Sequence, residues 1–147
     1  MIITIDGPSG TGKSTVARKV AERLGFVYFD TGAMYRAFTW FVIQHSVDIH
    51  DQTAVQRLLE QFDFKIQEKE GEKRYFVGGH DVTIVIRSRL VTAQVSAISA
   101  LKQVRSHLLK TQHEFGMAQN AVFEGRDLGT AVFPQAEIKI FLTAEPL

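Results

Sequence analysis

The chain reads as an α/β domain: a parallel sheet with helices on both faces, plus a small antiparallel β-insert. Three observations predict this class. Short apolar runs at Ile2 to Ile5, Phe26 to Phe29, Ala121 to Phe123 and Ile138 to Leu142 have the texture of buried strands. Segments of helical period lie between them. The polar clusters GPSGTGKS, DTGAMYR and EGRD each follow an apolar run, and parallel sheets hold ligands at the carboxyl ends of their strands. All three clusters are therefore expected at one sheet edge.

Taken in order, Ile2 to Ile5 is the first strand. Val16, Ala17, Val20, Ala21 and Leu24 recur at helical spacing, and Gly25 stands where a helix C-terminus favours glycine. Phe26 to Phe29 is the second strand. From Gly32, the positions Met34, Ala37, Phe38 and Phe41 mark a second helix. Ala54, Val55, Leu58, Leu59 and Phe62 mark a third, capped by Asp51. Phe64-Lys-Ile-Gln-Glu then alternates apolar and polar, and Tyr75 to Val77 precedes the turn GGHD, which predicts an antiparallel pair with Val82 to Val85 as a third strand. This insert spans residues 62–86. Leu101, Val104, Leu108, Gln112 and Phe115 mark a longer helix ending at Gly116, followed by the strands at 121–123 and 138–142. With no repeat and no low-complexity linker, residues 1–147 read as one domain.

Composition narrows the function classes. Of 147 residues 45% are hydrophobic, enough for a substantial core. Seventeen basic against sixteen acidic residues give a net charge of +1, which argues against nucleic-acid or membrane partners. There is no cysteine, which removes disulfides, thiol catalysis and thiolate metal sites. No apolar run approaches the ~20 residues of a membrane span. A cytoplasmic monomer is the expectation.

Gly7, Pro8, Ser9, Gly10, Thr11, Gly12, Lys13, Ser14 and Thr15 carry the pattern G-x-x-x-x-G-K-S between a strand and an amphipathic helix. Glycines let backbone N–H groups curl around an anion and the helix N-terminus adds its positive end. Lys13 neutralises β/γ-phosphate charge and Ser14 offers an oxygen to Mg²⁺. A glycine-rich turn before a helix is the blander alternative. The motif does not separate kinases from ATPases or GTPases, although no guanine-reading N-K-x-D segment is present. On the acceptor side, DTGAMYR can be a capped helix start and Arg126 with Asp127 a salt-bridged turn. Two such clusters facing a phosphate loop read instead as a second anion site.

GPSGTGKST, FDTGAMYRA, VSAISALKQVR and EGRDLGTAVFP, in this order, resemble the bacterial cytidylate kinases of the nucleoside monophosphate kinase group, over essentially all 147 residues. The resemblance implies a P-loop NTPase-type parallel sheet and Mg²⁺-dependent transfer of the γ-phosphoryl of ATP to CMP or dCMP. It implies that Arg36 and Arg126 grip the CMP phosphate, as guanidinium forks suit phosphate oxygens. Thr31, Arg105 and Asp127 match groups that read cytosine: a carboxylate and a hydroxyl accept from N4, while an arginine donates to N3 and O2. Ser96 matches a serine near the ribose, with a helix cap or buried hydroxyl as its other reading. Tyr35 either touches ligand or only packs. The reaction needs no protein nucleophile, so Lys13, Arg36 and Arg126 carry the catalysis by alignment and charge neutralisation. The five histidines (45, 50, 80, 107 and 113) read as surface or packing residues.

Two departures stand out. Glu124 occupies a position usually held by aspartate. The strand matching Ile138 to Leu142 is followed in the family by an arginine-bearing lid, a further strand and a closing helix, whereas no basic residue follows Lys139 here. The expectation is a part of a longer enzyme. The competing readings are a fragment that binds nucleotides without turnover, and a P-loop kinase for another small acceptor.

Overall fold

The computed structural model describes residues 1–8 and 10–143. Along the chain the elements run β1 (Ile2–Asp6), α1 (Lys13–Leu24), β2 (Val27–Asp30), α2 (Thr31–Gln44), α3 (Gln52–Gln61), β3 (Phe64–Lys69), β4 (Glu72–Val77), β5 (His80–Asp81), α4 (Arg89–Ser99), α5 (Lys102–Ala118), β6 (Ala121–Gly125) and β7 (Ile138–Phe141). A 3-10 turn covers Val85–Arg87 and a π-helical turn Leu128–Val132. The backbone separates into two units, Met1–Gly32 with Leu109–Leu147, and Ala33–Leu108.

The first unit holds an all-parallel sheet in the order β2-β6-β1-β7. Side chains on a strand alternate between faces, and both faces here are covered. Ile3, Ile5, Tyr28 and Val122 point to one side and pack with Ala17 and Ala21 of α1. Phe29 and Phe123 point to the other, where Phe115 of α5 meets both rings edge-on at centroid distances of 4.7 and 5.9 Å. Helix α1 ends as predicted: Gly25 takes the left-handed conformation at φ 68°, and its N–H caps the carbonyls of Ala21 and Glu22. Gly116, by contrast, is not a terminus. Helix α5 runs on to Ala118, and a Cβ at 116 would stand 3.0 Å from Ile2 Cδ1 and 3.2 Å from Phe133 Cε1, so the glycine serves close packing inside the helix.

The second unit folds around Ala33, Ala37, Tyr75, Val77, Val82 and Ile86, with Trp40, Phe41, Phe62, Phe64 and Ile66 packed on them. Helix α3 is capped by Asp51, whose carboxylate accepts from the Ala54 N–H at 3.1 Å. The hairpin β3–β4 pairs Phe64 with Val77 and Ile66 with Tyr75, the alternation the sequence predicts. The third strand does not lie at Val82 to Val85 but at His80–Asp81. Asp81 stops it: its carboxylate accepts from the Thr83 N–H at 3.0 Å and the Thr83 hydroxyl at 2.6 Å, an Asx turn that directs the chain into the 3-10 turn and leaves Ile84 81% exposed. Ser88 caps α4 by accepting from the Val91 N–H, and Val91 and Ile98, seven apart, face the core.

Asp81 also accepts from Arg74 Nε at 2.7 Å, and these bonds, those from Thr83 foremost, hold its carboxyl at about 2. A carboxyl lowered on folding stabilises the native state above its unfolded value, and that contribution is lost as pH falls toward the folded one. A carbon-detected NMR titration is expected to place the Asp81 midpoint near 2, and Thr83→Val to move it upward. A midpoint at the ordinary aspartate value in the unsubstituted chain would contradict the turn.

Candidate active site

Strand β1 ends at Asp6 and the phosphate loop follows. A Cβ on Gly7 would lie 2.6 Å from the Leu142 carbonyl oxygen, so only glycine allows the loop to leave the strand there. Gly10 and Gly12 take left-handed conformations at φ 81° and 79°. The Thr11 hydroxyl donates to the Pro8 carbonyl at 2.9 Å, bracing the loop, and Ser9 lies outside the described residues. Gly12 stands at the N-cap of α1, no side chain caps that helix, and its first turn carries no acidic residue. The opening N–H groups of Lys13, Ser14 and Thr15 are thus left for an anion, where the helix dipole favours negative charge.

Beside the loop, the parallel register places Asp30 and Glu124 as direct neighbours at the ends of β2 and β6. Glu124 points to the α1 side, where it accepts from the Tyr28 hydroxyl at 2.6 Å and from the Ser14 hydroxyl, with Lys13 near. Burial pushes the Glu124 carboxyl above its usual range, and the negative charge of Asp30 adds to this. The Tyr28 and Ser14 hydrogen bonds and the Lys13 charge act in the opposite sense. Among the described residues no cluster of three or more histidine, cysteine, aspartate or glutamate side chains could by itself hold a metal ion. The Ser14 hydroxyl and the Glu124 carboxylate offer instead an oxygen-only partial set, which suits a hard divalent cation completed by water and phosphate oxygens. Tyr28 carried no signal in the sequence, being one ring in an apolar strand. Asp30 was legible only as a helix start.

The segment after β6 is fixed on both sides. The Thr31 hydroxyl donates to the Glu124 carbonyl at 2.9 Å, and a Cβ on Gly125 would meet that hydroxyl at 2.7 Å. Asp6, 7% exposed, accepts from the Leu128 and Gly129 N–H groups at 2.9 Å each. Between these anchors Arg126 and Asp127 stand exposed. The first unit thus brings together the phosphate loop, Glu124, Thr31, Arg126 and Asp127. Thr31 spends its hydrogen on the backbone and keeps lone pairs for an incoming amino group.

The second unit carries Tyr35, Arg36, Ser96 and Arg105. Tyr35 is half-buried, and burial raises its phenol above the usual value while the charge of Arg105 opposes that shift. Arg36 donates through NH1 to the Ile86 carbonyl at 3.1 Å and to the Thr92 hydroxyl at 2.9 Å. Ser96 is exposed within α4, neither buried nor capping. Of the histidines, His45 rests against Phe41 and His113 reaches the Val132 carbonyl and the Phe133 ring, which fits packing roles.

The raised carboxyl of Glu124 has a measurable sign. A carboxyl raised on folding holds its proton more tightly in the native state, so its stabilising contribution is present below the unfolded value of ~4.3 and is lost as pH rises through the folded one. Glu124→Gln, which keeps an acceptor for Tyr28, is therefore expected to melt at or above the temperature of the unsubstituted chain at pH 7.5 in the absence of divalent cation, and to lose that advantage near pH 4. A melting difference that does not change with pH would show that Glu124 is not held in this way.

The chain matches the family model "Cytidylate kinase" over residues 3–147. It is 52% identical over 143 residues to a cytidylate kinase of Protochlamydia amoebophila (strain UWE25), covering 97% of this chain and 63% of that protein. It is 44% identical over 142 residues to a cytidylate kinase of Shouchella clausii (strain KSM-K16), with the same shares covered. A bifunctional pantoate ligase/cytidylate kinase of Prochlorococcus marinus (strain MIT 9303) is 52% identical over 146 residues, 99% of this chain and 30% of that protein. The chain thus spans somewhat under two thirds of the length of the single-function relatives. A phosphate loop opening an uncapped helix beside a buried carboxylate agrees with the match across the whole chain: it belongs to the cytidylate kinase family.

Proposed function

We propose that the protein containing this chain transfers the γ-phosphoryl of ATP to CMP or dCMP, giving ADP and the pyrimidine diphosphate. The observation that carries the reading furthest is the rim of the first unit, where Lys13, Ser14 and Glu124 converge at an open helix N-terminus. Loop amides from Gly7 to Thr15 wrap the ATP phosphates, and Lys13 neutralises charge on the β- and γ-oxygens. Ser14, with Glu124 behind it, would hold Mg²⁺, which would supply positive charge to offset that of the transferring group. Arg36 and Arg126 clasp the acceptor phosphate. Asp127 and Thr31 accept from cytosine N4, Arg105 donates to the ring acceptors, Ser96 serves the ribose, and Tyr35 packs beside Arg105. The insert at residues 62–86 belongs to the CMP-binding region. The enzyme acts in the cytoplasm on free nucleotides; no helix among the described residues is long and apolar enough to cross a membrane.

Uracil presents an acceptor where cytosine has its amino group, and a carboxylate facing it is left unpaired. An ADP-release assay is therefore expected to give kcat/KM values for CMP and dCMP on the order of 10² or more above those for UMP and AMP. Preference for UMP or AMP would sink the base-reading assignment.

A further inference from the structure

Arg36 and Arg74 are two arginines of the second unit in opposite electrostatic situations. Arg74 donates from Nε to Asp81 at 2.7 Å and places NH1 3.7 Å from Glu72, so its charge is neutralised where it stands. Arg36 is held as firmly but by neutral acceptors: the Ile86 carbonyl at 3.1 Å and the Thr92 hydroxyl at 2.9 Å, both through NH1. Among the described residues no carboxylate pairs with it. With NH1 engaged by both acceptors, Nε–H and one hydrogen of NH2 remain side by side along one edge of the guanidinium. That edge is the fork which binds two phosphate oxygens side by side.

We infer that Thr92 is a positioning residue for the acceptor phosphate: its hydroxyl fixes the Arg36 guanidinium with the Nε/NH2 edge turned outward and the full positive charge retained. This rests on the reading of Arg36 as a CMP-phosphate ligand. The Ile86 carbonyl supplies one anchor and cannot alone stop rotation of the plane about that single bond. The second anchor, from the first turn of α4, sets the plane. The anchoring costs the arginine no charge, whereas an aspartate at 92 would reproduce the situation of Arg74. Thr92 is itself exposed, and valine has the same shape, so its replacement leaves the core of the unit untouched.

Calorimetric titration of the chain with CMP and with cytidine, which lacks the phosphate, tests this. Thr92→Val is expected to weaken CMP by roughly tenfold, the effect of losing a hydrogen bond to a charged group, and to leave cytidine within about twofold. Thr92→Ser keeps the hydroxyl and is expected to bind CMP as the unsubstituted chain does. Arg36→Met is expected to weaken CMP more than Thr92→Val does, and adding Thr92→Val to it to cost nothing further. If Arg36→Met weakens CMP while Thr92→Val does not, Thr92 has no positioning role and the reading of Arg36 stands. If Arg36→Met binds CMP unchanged, that reading itself fails. Equal loss of CMP and cytidine in Thr92→Val would mark a general structural effect and overturn the inference.

Discussion

The rim of the first unit hangs on one residue, Asp6. A carboxylate this deeply buried is tolerable only if hydrogen bonds replace its water, and the Leu128 and Gly129 N–H groups do so at 2.9 Å each. The same residue's carbonyl accepts from the Leu142 N–H at 2.8 Å, just past the end of β7. Side chain and main chain of Asp6 therefore tie together the ends of three adjacent strands. The phosphate loop starts one residue later. Its departure from the strand is set by the close approach of Gly7, the first of its glycines, to the Leu142 carbonyl, so the loop inherits its placement from this junction.

Next to this junction the sheet concentrates negative charge. Parallel pairing sets Asp30 against Glu124, and burial already disfavours the ionised form of Glu124. Burial first, and the negative charge of Asp30 second, push the Glu124 carboxyl upward. The Tyr28 hydroxyl, the Ser14 hydroxyl and the Lys13 charge work the other way. A glutamate has one more methylene to place than an aspartate, and the 2.6 Å bond from Tyr28, on the neighbouring strand and the same face, holds the longer side chain in position.

What the sequence disclosed was what local pattern and backbone geometry decide. The Gly25 stop, the Asp51 cap, the alternation of Phe64 and Ile66, and the four apolar strands depend on neighbours within a few residues, and all are present. The misread points depend on partners far along the chain or on side-chain turns. Gly116 looked like a terminus because glycine usually is one, but rings at Phe133 and a methyl at Ile2 require its missing side chain. Val82 to Val85 has strand composition, yet the Asp81 carboxylate binds Thr83 and bends the chain away. For the candidate site, the phosphate loop, Arg36, Arg126 and Asp127 were legible as motifs. Asp6, Tyr28 and Thr92 were not, because each makes its hydrogen bond to a residue 56 to 123 positions away in sequence.

Arg74 and Arg36 differ in the kind of partner that holds each of them. Phosphoryl transfer is served by charge placed in advance, and a cation already neutralised by a carboxylate has less to offer an incoming phosphate. Arg74, clamped by Asp81 and Glu72, holds the antiparallel sheet to its turn and is spent there. Arg36 is fastened by a carbonyl and a hydroxyl, which orient a guanidinium without cancelling it. The uncapped α1 follows the same rule: a helix without an acidic first turn keeps its positive end available. On the proposed reading, the Arg36 guanidinium and the open N-terminus of α1 are groups left to meet anions, and a carboxylate introduced beside either would neutralise it in the way Asp81 neutralises Arg74.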